Sequence, residues 1–238
     1  MTLTASDRLA GLSLGLGLGP EIAALATGEQ VLGSMLLEEL SRPDFELGRV
    51  VARWVENLDR PFECPVVARS LAELARTGAP PAEAAFGPGL GAAVVALAGA
   101  ARLFQTPRNL VSGIYHLARL LDPHPVGGYS AVAVGVAASR LLQGKRDFVP
   151  EVLDVLLANE APEHLIGEIR RAPVWVRTMP TGGPAAAPEA LLGTVFWALH
   201  HLASAPRVLD ALVPLGPLAR TIGRALLGAR DGPPALAG

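Results

Sequence analysis

The chain has 238 residues, half of them hydrophobic, 18% charged and 5% aromatic, with a formal net charge of −2. That length allows one large domain or two small ones, and a mean hydropathy of +0.38 supplies apolar surface for a sizeable core. Charge is not blocked by sign and no basic stripe is visible, which excludes a nucleic-acid-binding surface.

Ala and Leu dominate, and both lead the helix scale. Lys145 is the only lysine, so arginine supplies every other basic side chain. Cys64 is the single cysteine, so no intrachain disulfide can form, and a reducing, cytoplasmic setting is expected. No apolar run reaches membrane-spanning length, and residues 89–101 and 129–139 read as buried core helices instead. The stretch 9–18 followed by Ala24-Leu25-Ala26 imitates a secretory leader. Asp7 beside Arg8, the glycines and Glu21 argue against that reading.

In chain order, Ser6 or Asp7 is expected to cap a first helix running to about Leu14, and a Gly-rich stretch 15–19 then loosens the backbone. Thr27 caps a second helix, with Gln30 at capping-box spacing and Leu32, Met35, Leu36 and Leu40 at helical spacing. It ends near Pro43, and Asp44 opens a third that carries Val50, Trp54 and Leu58. Residues 61–65 form a turn, 66–76 a helix stopped at Gly78, and Pro80-Pro81 open a short helix to Phe86. An apolar segment runs from Gly87 to Phe104, and 107–121 is amphipathic. Asp122-Pro123-His124-Pro125 is a rigid turn. Helices are expected over 128–142, 148–157 and 163–171, a long Pro/Gly loop over 173–188, then helices over 188–202, 207–212 and 218–227, with a frayed tail from Asp231. No strand alternation appears. The expectation is a single all-α domain, 1–238, of about a dozen helices without internal repeats.

Gly11-Leu12-Ser13-Leu14-Gly15 matches the G-x-S-x-G pattern of a nucleophile elbow but has no strand before it, so small residues for close helix packing explain it better. The five histidines form neither HExxH nor an i, i+4 pair, so zinc is not expected. Gly15-Leu16-Gly17-Leu18-Gly19 and Gly87-Pro88-Gly89-Leu90-Gly91 look like phosphate loops without a βαβ setting.

Taken together, these stretches resemble an ADP-ribosylglycohydrolase from about Arg8 to Gly232. The family's opening Gly-Leu-Ala-Val-Gly-Asp-Ala-Leu-Gly is similar to residues 11–19, with Leu16 in place of the aspartate. Its Thr-Asp-Asp-Thr run falls on Thr27, Gly28, Glu29 and Gln30. Its Gly-Asn-Gly-Ala becomes Gly89-Leu90-Gly91-Ala92, and its Thr-His-Pro turn becomes Pro123-His124-Pro125. Its closing Gly-Gly-Asp-Thr-Asp-Thr falls near Gly216-Pro217-Leu218-Ala219. The resemblance implies an all-α fold whose relatives hold two metal ions, usually magnesium, in a central cleft and remove ADP-ribose from modified proteins or small molecules. It places Gly17, Thr27, Glu29, Gln30, Gly89, Gly91, His124 and Gly216 around that cleft, and implies that the two glycine loops and the His124 turn meet beside Thr27.

Three readings follow. In the first, the chain is a pseudoenzyme that has lost the metal-binding aspartates: no catalytic residue and no magnesium pair is expected, and the partner is an ADP-ribose-like small molecule or a protein. In the second, it is a hydrolase with a rearranged or metal-free site built on Glu21, Glu29 or His124. In the third, it is a helical scaffold.

Overall fold

In the computed structural model, residues 3–18, 26–82, 87–174 and 186–236 are described. Among them are twelve α-helices and no strand. In chain order these are α1 (Ala5–Gly15), α2 (Gly28–Leu40), α3 (Leu47–Val55), α4 (Pro65–Thr77), α5 (Gly91–Leu103), α6 (Pro107–Leu121), α7 (Pro125–Leu142), α8 (Val149–Ala158), α9 (Glu163–Arg171), α10 (Pro188–His201), α11 (Ala205–Leu212) and α12 (Pro217–Asp231). Short 3₁₀ turns occupy Val213–Leu215 and Pro233–Leu236. None of the described helices is long and apolar enough to cross a membrane.

The middle of the fold is α5 and α7, built on the apolar stretches 89–101 and 129–139. Every residue of α5 from Gly91 to Ala101 is buried, and so is nearly all of α7. A helix that is apolar all round needs neighbours on every side. α5 accordingly packs on α7, α2 and α6, while α7 also meets α6, α8 and α12. Small residues let these axes approach closely: a Cβ on Gly135 of α7 would lie 2.2 Å from Ile114 Cδ1 of α6. α2 buries one face, Leu32, Gly33 and Leu36, against α5, and Trp54 of α3 donates its indole N–H to the Leu32 carbonyl at 3.1 Å.

Several boundaries differ from the sequence expectation for local reasons. The cap of α1 is Thr4, not Ser6 or Asp7. Thr4 Oγ1 accepts the Asp7 N–H at 3.2 Å while Asp7 accepts the Thr4 N–H at 2.8 Å, so Asp7 is the third residue of a capping box. Asp44 does not cap α3, whose first flanking residue is Glu46. Asp44 instead joins Glu39 and Glu46 around Arg49. α7 begins at Pro125, because His124 caps it. From 232 to 236 the expected frayed tail is instead packed: Leu236 is buried, and its turn packs on α1 and α12. The short helix expected up to Phe86 falls largely on residues 83–86, and most of the 173–188 loop on 175–185; both lie outside the described residues.

Candidate functional site

The N-terminus of α2 is built as its sequence suggests. Thr27 Oγ1 accepts the Gln30 N–H at 3.5 Å, and Gln30 Oε1 accepts the Thr27 N–H at 2.8 Å. Gln30 Nε2 also donates to the Leu16 carbonyl at 2.7 Å, so its amide ties the end of α1 to the start of α2. Glu29 is fully buried. Its Oε1 accepts the Cys64 N–H at 2.7 Å and its Oε2 the Glu63 N–H at 3.3 Å. The Gly28 N–H donates to the Pro61 carbonyl at 2.8 Å, and a Cβ on Gly28 would strike the Phe62 ring. The segment 61–64 is thus fastened onto the first turn of α2, where the helix dipole favours a carboxylate.

Cys64 continues that layer. Its sulfur stands at the start of both α4 and α5. Burial pushes the thiol up, against the backbone amides of Val67, Gly91 and Val66 that point at it. A Cβ on Gly91 would lie 2.5 Å from Val67 Cγ2, and one on Gly89 would lie 2.5 Å from Cys64 Sγ. The glycines at 89 and 91 therefore serve close backbone approach.

Across Gly89 stands Asp122, fully buried. Its Oδ2 accepts the Gly89 N–H at 2.8 Å and its Oδ1 accepts the His124 N–H at 3.1 Å. Burial pushes this carboxyl up to about 6, against the two amides and Arg119, which favour the charge. His124 accepts the Val126 N–H through Nδ1 at 3.1 Å and so acts as the cap of α7.

These loops surround a cavity of about 330 Å³, lined by Cys64, Val66, Pro88, Gly89, Leu90, Leu191, Leu215, Gly216, Pro217 and Leu218, with Glu63 the one charged residue on its wall among the described residues. Four helices begin on this wall: α4 at Pro65, α5 just after Leu90, α10 at Pro188 and α12 at Pro217. Gly216 turns the chain into α12 with φ of 87°, a left-handed value that favours glycine. A second cavity, of about 420 Å³, is lined by Gly17, Gln30, Ser34, Met35, Glu38, Arg53 and Arg60.

The structure therefore brings Gly89 and Gly216 onto one wall, with Gly91 and Glu29 behind Cys64, and joins His124 to Gly89 through Asp122. It places Gly17 and Gln30 on the other cavity, and Thr27 lines neither. Glu21 lies outside the described residues. Two residues that hold this layer together, Cys64 and Asp122, carried no expectation of function from sequence. Asp122 had a signal: an aspartate two residues before an N–H in a Pro-bounded turn is the pattern of an Asx turn.

A family model described as ADP-ribosylglycohydrolase matches residues 24–237. The chain belongs to the ADP-ribosylglycohydrolase family. A solved structure described as an ADP-ribosylglycohydrolase-related protein complex superposes with a TM-score of 0.74 over 98% of this chain and 90% of that one, at 19% identity, and so shares the fold. No curated protein matches the chain.

Proposed function

We propose that this chain is a family member whose hydrolytic metal site has been dismantled, and that its 330 Å³ cavity retains binding of an ADP-ribose-like small molecule. The observation that carries the reading is the employment of Glu29. It is the one carboxylate among Thr27, Gly28, Glu29 and Gln30, and both its oxygens already accept backbone N–H groups.

A pair of magnesium ions requires near-octahedral oxygen donors and several negative groups. Gly216-Pro217-Leu218-Ala219, on the far wall, adds no side-chain oxygen. No cluster of three or more His, Cys, Asp or Glu side chains suited to a metal occurs among the described residues. The residues present do not fit the pair, and no hydrolytic step is derived through it.

The binding half of the reading is supported by size and by backbone. The cavity falls in the usual range for small-molecule sites. The N-terminal ends of four helices face it, and helix N-termini favour anions such as a diphosphate. Calorimetry tests both halves. ADP-ribose is expected to bind without added metal, and Leu218→Trp, which enlarges a side chain lining the cavity, is expected to abolish that binding. Magnesium and manganese are expected to show no tight site, and ADP-ribosylated arginine or serine no turnover. Two tight metal sites, or turnover that Glu29→Ala removes, would overturn the proposal.

A further inference from the structure

The outer side of α2 carries chemistry that the proposed function leaves unused. Leu32, Gly33 and Leu36 turn inward, so Gln30, Val31, Ser34, Met35 and Glu38, at helical spacing, share the other side. With Leu18, Ala26, Arg53 and Arg60 they line the second cavity, of about 420 Å³, which is also within the usual range for small-molecule sites. The two cavities share no lining residue among the described ones.

Leu18, Ala26, Val31 and Met35 give this cavity an apolar lining. Met35 is held in place, its sulfur accepting from Asn57 Nδ2 at 3.8 Å. Gln30 offers little to a ligand, because its amide is engaged at both ends by Thr27 and Leu16. The groups left over are the Ser34 hydroxyl and two guanidinium groups. Arg53 uses one nitrogen, Nη2, on Glu38 Oε2 at 2.6 Å, and its Nε and Nη1 bond nothing among the described residues. The Arg60 guanidinium, exposed beyond the end of α3, has neither an acid partner nor an acceptor among the described residues. Two cations against the Glu38 carboxylate leave one positive charge in surplus.

We propose that this second cavity binds a small aromatic carboxylate, its ring against Val31 and Met35 and its carboxylate on Arg53 and Arg60. A guanidinium presents a planar fork that matches a carboxylate in bidentate fashion. A thioether makes favourable contacts with an aromatic ring. The surplus of one charge suits a monoanion. A phosphate monoester carries about −1.5 to −2 at neutral pH, and its second charge meets Glu38 rather than a further cation. The Ser34 hydroxyl supplies one more hydrogen bond beside the arginines.

The probe is 2-naphthoate, followed at the Met35 methyl by ¹³C–¹H NMR and identified against Met35→Leu, one of three methionines in the chain. A saturable shift with a Kd of about 0.1–1 mM is expected. 2-Naphthalenemethanol, the same ring without the charge, is expected to bind about fivefold more weakly or worse, and 2-naphthyl phosphate no more tightly than the carboxylate. Arg60→Gln alters an exposed side chain and is expected to weaken naphthoate about fivefold while leaving the thermal midpoint in place. Glu38→Gln is expected to tighten the phosphate ester more than the carboxylate. No saturable Met35 shift up to about 10 mM overturns the proposal. So does an alcohol that binds as well as the carboxylate, or full affinity in Arg60→Gln. ADP-ribose separates this site from the proposed function. A Met35 response to naphthoate without ADP-ribose binding supports the second site and sinks ligand retention in the first. ADP-ribose that binds and shifts Met35 more tightly than naphthoate does overturns the assignment to carboxylates.

Discussion

Two regions of this molecule bring backbone against backbone by opposite means. In the α1–α12 seam, side chains are removed. A Cβ on Gly11 would lie 2.1 Å from the Gly228 carbonyl oxygen, one on Gly228 would lie 2.1 Å from that of Gly11, and one on Gly15 would lie 2.5 Å from that of Arg224. In the loop layer around Gly89, two side chains are added: the carboxylates of Glu29 and Asp122 reach into the interior and accept amides from segments 34, 35 and 33 residues away. The seam costs chain entropy and no electrostatics. The layer costs desolvation of two charges. Only the second arrangement can respond to protons, and it lies against the cavity.

The sharpest way to break the seam is to give it a side chain. Gly228→Val and Gly11→Val each force heavy atoms into a carbonyl that has no room to retreat, because both partners are helix backbone. A loss of about 3 kcal/mol or more is expected, read as a lowered urea midpoint or as failure to fold. The cavity side is broken by truncation instead. Glu29→Ala strands the N–H groups of Glu63 and Cys64, and a loss of about 2–3 kcal/mol is expected in the same measurement. Glu29→Gln keeps one acceptor and is expected to lose less. A Glu29→Ala variant as stable as wild type would show that its carboxylate is not structural, and would reopen its place in a metal site.

A subtler way to sharpen the contrast is pH. The Asp122 carboxyl sits at about 6 in the folded chain, above its ordinary value, because burial disfavours the charge. A folded value above the unfolded one means that the native state holds the proton more tightly. The associated stability is fully present below about pH 4 and is lost as pH rises through about 6, for a total of about 3 kcal/mol. Wild-type stability relative to Asp122→Asn should therefore fall between about pH 4 and 7, whereas Gly11→Val relative to wild type should show no such slope. A pH-independent difference between wild type and Asp122→Asn would remove the buried charge from the account.

Much of the architecture was legible because it depends on local pattern. Thr27 and Gln30 announce their capping box by spacing, and the uncharged runs that became α5 and α7 announce burial. The glycines at 11 and 15 were read as packing rather than chemistry, for want of a preceding strand, and they do pack. The functional layer was less legible because its parts meet through long-range backbone contacts. Nothing local to Glu29 indicates that its carboxylate will be taken by amides at 63 and 64. Asp122 reads as a turn residue until Gly89 is placed beside it. Gly17 and Gly89 carry similar glycine-rich surroundings in sequence but line different cavities, since Gly17 follows α1 whereas Gly89 leads into α5.

The smallest expected effect has the opposite sign and tests whether glycine in this chain always means close approach. Gly99 lies within α5, buried like Gly11 and flanked by alanine on both sides. A Cβ there would sit 3.7 Å from Ile114 Cγ1 and 3.9 Å from Leu36 Cδ2, ordinary van der Waals distances. It would point toward a void of about 10 Å³ lined by Leu36, Val95, Ile114, Leu117 and Leu121. That void is apolar and about the size of one water probe, so water gains few hydrogen bonds by entering it. Gly99→Ala should therefore fill space without displacing a neighbour and spare the unfolded chain its extra glycine freedom. A gain of up to about 1 kcal/mol is expected, as in an unstrained helix interior. The measurement is the thermal midpoint of the single variant, with Gly11→Ala as its counterpart. If both variants lose stability, α5 is packed as tightly as the α1–α12 seam and the void is filled in solution. If Gly99→Ala gains while Gly11→Ala loses, the two glycines differ only in what stands opposite them, which is a property of the fold and not of either helix.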